Sequence, residues 1–379
     1  MSKALAPLLS PAEFVGLDGV THLCSGGEGP WLVCQSQIYK EFARLTSDGH
    51  AGREQVYERA ECCRRRMGEL WQVPGQRVAF MPHAAEAMNW LARGLEWRAG
   101  DNIVTTSLEF PSVAYAWKRL RAAGVEVRRV RHTNWTVGEE ALLDACDRHT
   151  RVLAVSQVSY LSGECLNVER LSSALRATDT LLAVDATHAS GVIKVPAAFT
   201  DLCVSSAYKW MLGTHGVAPC YMSPRMEARC ADSCFGWHNL DIDDRDAAML
   251  AEDIPLKSMP QRLEPGNPAM LAIMFLHRAL GVLLEIGAQR IEDHARELAL
   301  RVNRGLQELG CAVISPSAKA QRSGNTCFLV ADPAALRDQL AEQRVLVWGD
   351  HSRVRVSTHL YNASHDVEQF LRVMAGLKG

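Results

Sequence analysis

The 379-residue sequence lacks the features that direct proteins to membranes, to nucleic acids or out of the cell. No uninterrupted apolar stretch reaches about 18 residues, the length of a membrane-spanning helix, and residues 1–14 show no charged start followed by a long apolar run. The 41 Lys and Arg nearly cancel the 43 Asp and Glu, and no basic stripe indicates nucleic-acid binding. We therefore expect a cytoplasmic protein with no membrane or nucleic-acid partner, acting on small molecules.

The 12 cysteines also lack the spacing of a disulfide framework or a structural zinc site. A cysteine in apolar surroundings, such as Cys203, behaves as a small buried hydrophobic residue, which fits a reducing compartment. Cys230, Cys234 and His238 recur every four residues, but Gly236 interrupts the helical pattern and no fourth ligand follows. We expect no metal site.

What the sequence does contain is an alternation of short apolar runs and helical patterns from about residue 80 to 222, which predicts an α/β fold with a mainly parallel sheet. Predicted strands cover 102–106, 125–130, 152–157, 181–185, 202–205 and 217–222, and predicted helices cover 84–95, 112–123 and 168–177.

The pattern of predicted elements changes after Pro268. A long helical tract over 270–309, interrupted near Gly287, leads into strands at 311–314, 326–330, 345–348 and 353–357 and a helix at 364–377. Because the chain exceeds the size at which one core keeps growing, we expect two domains. The predicted large domain covers residues 15–265, and the smaller C-terminal α/β domain covers 266–379, with residues 1–14 packing on it.

The residues that carry chemistry lie between 181 and 216. Asp185 ends one predicted strand and Lys209 follows the next, so both lie at the carboxyl edge of the sheet, where open α/β sheets bind ligands. An aspartate there can keep a pyridine nitrogen protonated, and a lysine can form a Schiff base with an aldehyde. Taken singly, they would be a capping residue and a surface lysine, but together they predict pyridoxal 5'-phosphate (PLP).

The same region resembles the class V aminotransferase family. Its D-x-x-Q/H pattern stands here as DATH at 185–188, and its S-x-x-K-W-x-x-G-x-x-G pattern stands as SAYKWMLGTHG at 206–216. The resemblance extends over nearly the whole chain. The family comprises fold type I PLP enzymes, among them cysteine desulfurases, kynureninase and isopenicillin N epimerase, and the resemblance implies that fold here.

The resemblance also implies roles for individual residues. Lys209 would bind the cofactor as an imine and then move the α proton of the substrate. Asp185 would pair with the pyridine nitrogen, His188 would lie near the phenolic oxygen, and Ser206 and Tyr208 would contact the cofactor.

Three further segments resemble cofactor and substrate motifs of the family. Ala84 and Ala85 open a helix where backbone N–H groups would bind the phosphate, although many relatives have a threonine at the position of Ala85. Phe110 stands where relatives stack an aromatic ring on the cofactor. Tyr160 replaces an asparagine of many members, and we expect it to contact the substrate.

Two segments nearer the C-terminus complete the resemblance. Asn267 lies in a segment, 262–268, that in the family reaches the phosphate of the neighbouring subunit, which implies a homodimer with a shared active site. Arg355, within 353–362, matches the arginine that binds the α-carboxylate of an amino acid substrate. Its planar guanidinium offers a carboxylate two parallel hydrogen bonds, which lysine cannot.

One further absence bears on the reaction. Cysteine desulfurases carry a cysteine on a mobile loop shortly before this arginine, whereas no cysteine follows Cys327 here. Together with the D-x-x-H variant and the C-terminal motif, this favours a carbon–sulfur lyase acting by β-elimination. An aminotransferase, an epimerase and a kynureninase-like enzyme stay open, as does a catalytically silent scaffold, against which the presence of Asp185, Lys209 and Arg355 argues.

Overall fold

The structure is a computed structural model that describes residues 4–242 and 254–378. Residues 1–3 and 243–253 of the two predicted domains, and Gly379, lie outside the described residues.

A seven-stranded sheet forms the larger part of the molecule, with strand order β2-β8-β7-β6-β5-β3-β4. Its strands are β2 (Val78–Met81), β3 (Asn102–Thr106), β4 (Glu126–Val130), β5 (Thr150–Ser156), β6 (Leu181–Asp185), β7 (Leu202–Val204) and β8 (Ala218–Met222). The five strands from β7 to β4 are parallel, and β8 runs antiparallel to both of its neighbours. The predicted α/β class with a mainly parallel sheet is confirmed.

Helices cover both faces of this sheet, which is why its central strands are apolar on both sides. In β6, Leu181 and Ala183 pack into one core with α3 (Ala84–Gly94), whereas Leu182 and Val184 pack into a second core with α6 (Val168–Leu175). The strand is thus anchored on both faces up to its last residue.

The helices are α1 (Ile38–Ser47), α2 (Gly49–Trp71), α3, α4 (Pro111–Ala114), α5 (Gly138–Asp144), α6, α7 (Pro224–Glu227), α8 (Met270–Ile286), α9 (Ala288–Glu308), α10 (Pro333–Glu342) and α11 (Ser364–Lys378). In the described part of the chain no single helix is long and apolar enough to cross a membrane. The pair α8 and α9 passes such a test together, by length and composition, but the two helices are bent by 82°. That bend follows Gly287, as predicted.

A second sheet, of order β12-β13-β10-β9, is antiparallel throughout. It consists of β9 (Ala312–Val313), β10 (Asn325–Leu329), β12 (Trp348–Asp350) and β13 (Arg353–Ser357), while β1 (Thr21–His22) pairs in parallel with β11 (Val345–Leu346). Near the N-terminus, Leu8 N–H donates to Leu360 O and Leu5 N–H to Ser364 Oγ. Helix α8 packs against α2, and the later part of α9 packs with the second sheet. The division at 265/266 stays a prediction.

Most predicted elements lie within about two residues of those observed, but two differ. The helix predicted over 112–123 is wrong: α4 ends at Ala114, and a separate 3-10 helix covers Lys118–Ala123. This break places Trp117 fully inside the core beneath the sheet. The strand predicted over 345–348 is instead divided between β11 and β12, which belong to different sheets.

Candidate active site

A cavity of about 350 Å³ opens at the carboxyl edge of the large sheet. Asp185 is the last residue of β6, and Lys209 follows β7, the neighbouring strand. Nine of the eleven predicted cofactor- and substrate-binding residues line this cavity: Ala84, Ala85, Phe110, Tyr160, Asp185, His188, Ser206, Tyr208 and Lys209. Arg355 and Asn267 do not, and their positions are described below.

Lys209 is buried, and its amine lies 3.1 Å from Nε2 of His188. Burial lowers the pKa of Lys209 to about 8, and the positive charge of Arg355 acts in the same direction, while Asp185 opposes it. A substantial fraction of the amine is therefore unprotonated near neutral pH, the form that attacks a carbonyl carbon.

The proton on His188 can be assigned from its hydrogen bonds. Ser357 Oγ donates to Oδ1 of Asn325 at 2.8 Å, so the Asn325 amide nitrogen faces Nδ1 of His188 at 3.3 Å. Nδ1 then accepts, and the ring hydrogen lies on Nε2, which faces Lys209. Burial and the charge of Lys209 lower the pKa of His188 well below its usual value, so the ring is neutral.

Asp185 is buried with no cationic side chain within salt-bridge distance among residues 4–242 and 254–378. Its Oδ1 accepts a hydrogen bond from Thr187 N–H at 2.8 Å. Burial raises the pKa of Asp185, whereas the bonds from Thr187 and the charge of Lys209 act in the opposite direction. A buried carboxylate facing a cavity requires a counter-charge, which a protonated ring nitrogen would supply.

Another part of the cavity wall is formed by the start of helix α3. His83 caps this helix by accepting from Glu86 N–H at 3.1 Å, and Ser206 Oγ lies 3.4 Å from the backbone nitrogen of Ala84. Helix N-termini favour anions because their first N–H groups lack partners within the helix. Ala85 provides no hydroxyl, so backbone amides, Ser206 and His83 are the donors available to a phosphate.

The rings of Phe110 and Tyr208 lie near the Lys209 amine, each with its centroid 5.4 Å away. The ring of Phe110 meets Tyr160 edge to face at 5.1 Å. Phe110 is 39% exposed, which leaves part of its ring free to contact a planar ligand. Tyr208, on the same wall, stacks on His215 at 4.0 Å.

Arg355 and Asn267 lie away from the cavity wall, in different directions. Arg355 is buried beside the cavity, where its Nη1 donates to the backbone oxygen of Tyr160 at 2.9 Å. Burial and the neighbouring Arg353 lower its pKa to about 10. Asn267 is exposed and accepts a hydrogen bond from Tyr57 Oη at 2.6 Å. Its predicted phosphate contact therefore requires a second subunit.

Comparison with known proteins decides the family. The sequence model described as Aminotransferase class-V matches residues 32–370. The chain belongs to the class V aminotransferase family.

Two curated relatives of this class V protein carry different activities in their names. A probable cysteine desulfurase of Pyrococcus abyssi is 25% identical over 92% of this chain and 90% of its own length. Isopenicillin N epimerase of Amycolatopsis lactamdurans is 24% identical over 80% and 81% of the two chains. The family is thus shared, whereas the reaction differs among similar members.

The fold is shared with a solved lyase. The cystine C-S lyase C-DES, in complex with its product cysteine persulfide, superimposes with a TM-score of 0.86 at 19% identity, covering 96% of this chain and 99% of that chain. A variant of C-DES with glycine linked to its PLP cofactor gives a TM-score of 0.87 at 18% identity, with 97% and 99% covered. The fold type I architecture is confirmed.

PLP is the cofactor of this class V protein. The residues present fit that group, because the cavity offers each part of the cofactor a complementary partner. Lys209 provides a partly neutral amine for the aldehyde and Asp185 an unpaired carboxylate for the ring nitrogen. His188 Nε2–H can donate to the phenolic oxygen, and the start of α3 can accept the phosphate.

Glu109, which the sequence analysis did not select, is buried behind the cavity wall. Its carboxylate accepts from Ser156 N–H at 2.9 Å and from Ser156 Oγ at 2.6 Å, and Ser156 pairs in register with Asp185. Burial raises the pKa of Glu109 from 4.5 to about 7, and the charge of Asp185 adds to this shift. Glu109 precedes Phe110 but is not itself part of a motif used in the sequence analysis, which is why it was missed.

Glu109 is expected to make the stability of the apoprotein depend on pH. Because its pKa is raised in the folded state, its contribution is fully present below pH 4.5 and is lost as pH rises to about 7, a fall on the order of 3 kcal/mol in the free energy of unfolding. Glu109→Gln should remove this part of the pH profile, as measured by urea unfolding between about pH 5 and about pH 8. The exposed Glu96→Gln serves as control, and parallel profiles for wild type and Glu109→Gln would contradict the assignment.

The structure also brings a cysteine near Arg355, although not the loop cysteine of desulfurases. Cys24 lies close enough to Arg355 for their charges to interact, but burial raises the pKa of its thiol. A protonated, partly buried thiol is a poor nucleophile. Cys24 begins the segment 24–29, whose glycines pack closely against neighbouring residues. A Cβ at Gly27 would lie 2.2 Å from Trp348, and a Cβ at Gly29 would lie 2.3 Å from the Lys209 carbonyl oxygen, so neither position has room for a side chain.

Proposed function

We propose that this class V PLP enzyme is a cytoplasmic carbon–sulfur lyase that eliminates sulfur from the β-carbon of an amino acid without forming a persulfide on itself. One observation carries the proposal: the cavity presents a partly neutral Lys209, hydrogen-bonded by neutral His188, and no cysteine is among the described residues that line it. β-Elimination requires a base for the α proton, which Lys209 provides, and it does not require a protein thiol.

When bound, PLP supplies an electron sink for the negative charge that develops at the α-carbon. The carboxylate of Asp185 would stabilise a positive charge on the ring nitrogen of the cofactor. His188 would donate a hydrogen bond from Nε2 to the phenolic oxygen. Lys209, whose amine lines the cavity, is the base that removes the α proton. The C–S bond then breaks, the sulfur leaves as a thiolate, and water releases the carbon skeleton as pyruvate and ammonium.

Arg355 is expected to bind the α-carboxylate of the substrate. Its Nη1 is already held by Tyr160 O, which fixes the guanidinium, while its Nε has no hydrogen-bond partner in the described structure. Arg355→Ala should lower kcat/KM by about 10- to 150-fold, because a charge-assisted hydrogen bond contributes roughly 1.5 to 3 kcal/mol. Steady-state kinetics measure this, with Arg355→Lys as a partial substitute that retains the charge. An unchanged kcat/KM in the alanine variant would refute the role.

The exposed position of Asn267 supports a homodimer in the same proposal. In its own chain Asn267 contacts Tyr57 and not the cavity. A second subunit that places this segment over the start of α3 would complete the phosphate site, since an asparagine amide donates as a threonine hydroxyl does.

Product analysis in deuterated water tests the reaction. Purified holoenzyme is incubated with amino acids and cysteine S-conjugates, and pyruvate, ammonium, α-deuteration and amino transfer are followed. Pyruvate formed without a keto-acid acceptor supports the lyase. Deuterium with inversion indicates an epimerase, turnover only with an acceptor indicates an aminotransferase, and a colourless protein with no borohydride-trapped adduct on Lys209 indicates a scaffold; each would overturn the proposal.

The variant Cys24→Ser adds a control for persulfide chemistry. A lyase that uses no protein thiol should form pyruvate at the wild-type rate with a serine at this position. Loss of sulfur release in Cys24→Ser would instead assign a desulfurase-like role to that thiol.

A further inference from the structure

Two arginines lie side by side next to the cavity, although the family resemblance assigns a role to only one of them. Arg353 and Arg355 alternate along β13, so their side chains project from the same face of the strand. Arg353 is fully buried and Arg355 is 2% exposed. Buried cations placed this close together repel each other unless anions accompany them.

Arg353 has unused hydrogen-bonding capacity. Its Nη1 lies 3.0 Å from Oδ1 of Asp350, an ion pair across strands β12 and β13. Even so, Nε, Nη1 and Nη2 of Arg353 all lack hydrogen bonds to the described residues. A guanidinium carries five N–H donors, and burying them without acceptors is costly, so a ligand that supplies acceptors would be bound strongly.

The surrounding charges are not balanced. In the described residues Asp350 is within salt-bridge distance of Arg353, and its other oxygen already accepts from Trp348 Nε1 at 2.7 Å, while Arg355 has no carboxylate within that distance. An α-carboxylate on Arg355 would neutralise one charge and still leave the donors of Arg353 without acceptors.

Arg353 does not line the cavity itself, but it packs against a residue that does. Its guanidinium carbon lies 5.3 Å from the centroid of the Tyr160 ring, and Tyr160 lines the cavity. The positive charge of Arg353 also contributes to lowering the pKa of His188, which lines the same cavity. A rotation of the Tyr160 ring would therefore open Arg353 to an acidic group on a substrate side chain, while the α-carboxylate occupies Arg355.

We propose that the substrate carries a second carboxylate, bound by Arg353, and is thus an amino acid whose side chain or sulfur substituent ends in an acidic group. This inference rests on the proposed function in one respect, that the cavity takes an amino acid with its α-carboxylate on Arg355. It adds Arg353 as a specificity-determining residue.

Paired ligands that differ only in charge test the inference. S-carboxymethyl-L-cysteine and its amide, S-carbamoylmethyl-L-cysteine, have nearly the same size, and their dissociation constants from the holoenzyme can be measured by the change in cofactor absorption. We expect the acid to bind about 10-fold or more tightly than the amide, and Arg353→Met to reduce this ratio to within about 2-fold. The exposed Arg372→Met should keep the wild-type ratio.

Two results would overturn the inference. Equal affinity of the wild type for acid and amide would show that no acidic subsite exists. Equal weakening of both ligands in Arg353→Met would show that both arginines bind the single α-carboxylate.

A third variant covers the case in which Arg353→Met does not fold, as judged by circular dichroism. Arg353→Lys keeps the charge but loses the planar fork, so the ratio should fall by several-fold, and an unchanged ratio contradicts the proposal. Because binding is measured and not turnover, a preference for the acid without any pyruvate would contradict the lyase and leave the acidic subsite standing.

Discussion

Lys209→Ala is expected to lower kcat/KM by about 10² to 10⁴-fold, the largest effect of any single substitution in this site. The variant loses the amine that removes the α proton, and no other lysine lines the cavity among the described residues. It also loses the group that would hold the cofactor aldehyde. Borohydride treatment followed by peptide mapping should therefore show a labelled peptide containing residue 209 in the wild type and no label there in the variant.

Lys118→Ala provides the matched control, because Lys118 is exposed and does not line the cavity. It should retain both wild-type kinetics and the borohydride adduct. Undiminished turnover by Lys209→Ala would remove the basis for placing catalysis at this cavity.

Asp185→Asn is expected to lower kcat/KM by about 10² to 10³-fold. Removing one member of a buried charge pair typically costs about 3–5 kcal/mol, and here the lost partner is the counter-charge of the ring nitrogen. The asparagine can still accept from Thr187 N–H, so the local fold should be retained. Steady-state kinetics and the affinity for PLP, measured by absorption titration, report the effect.

The stability of the Asp185→Asn apoprotein distinguishes a chemical role from a structural one. Because burial raises the pKa of Asp185, its ionised form destabilises the empty fold near neutral pH, and the variant should be at least as stable as the wild type. Asp144→Asn, at an exposed carboxylate, should change neither property. A variant that loses activity only because it unfolds would contradict the assignment.

The sheet and most of the cavity could be predicted from the sequence because their signals are local. β6 has the predicted bounds because a short apolar run that ends in a polar residue indicates a buried strand, and β13 has them with valines that alternate with Arg353 and Arg355. Asp185 and Lys209 come together because parallel neighbouring strands end at the same edge. The residue spacing alone was thus enough to place both groups at one site.

Contacts between residues far apart in the sequence could not be predicted from local patterns. Asn325 reaches His188 from a strand more than a hundred positions later, and no pattern around either residue encodes the contact. Arg353 stands two residues from a recognised motif, yet its burial and unused donors follow from how β12 and β13 pair. The helix predicted over 112–123 failed because burial of Trp117 outweighed local helical preference.

The hydrogen bonds that run from Ser357 through Asn325 and His188 to Lys209 bear on how the enzyme acquires its cofactor. They present an Nε2 hydrogen to the lone pair of the amine, and burial holds the pKa of Lys209 near 8. At neutral pH roughly a tenth of such lysines are free amines, against about one in several thousand for an ordinary lysine of pKa near 10.4. The folded apoprotein is therefore expected to hold far more free amine at neutral pH than a surface lysine does, and the free amine is the form that captures an aldehyde.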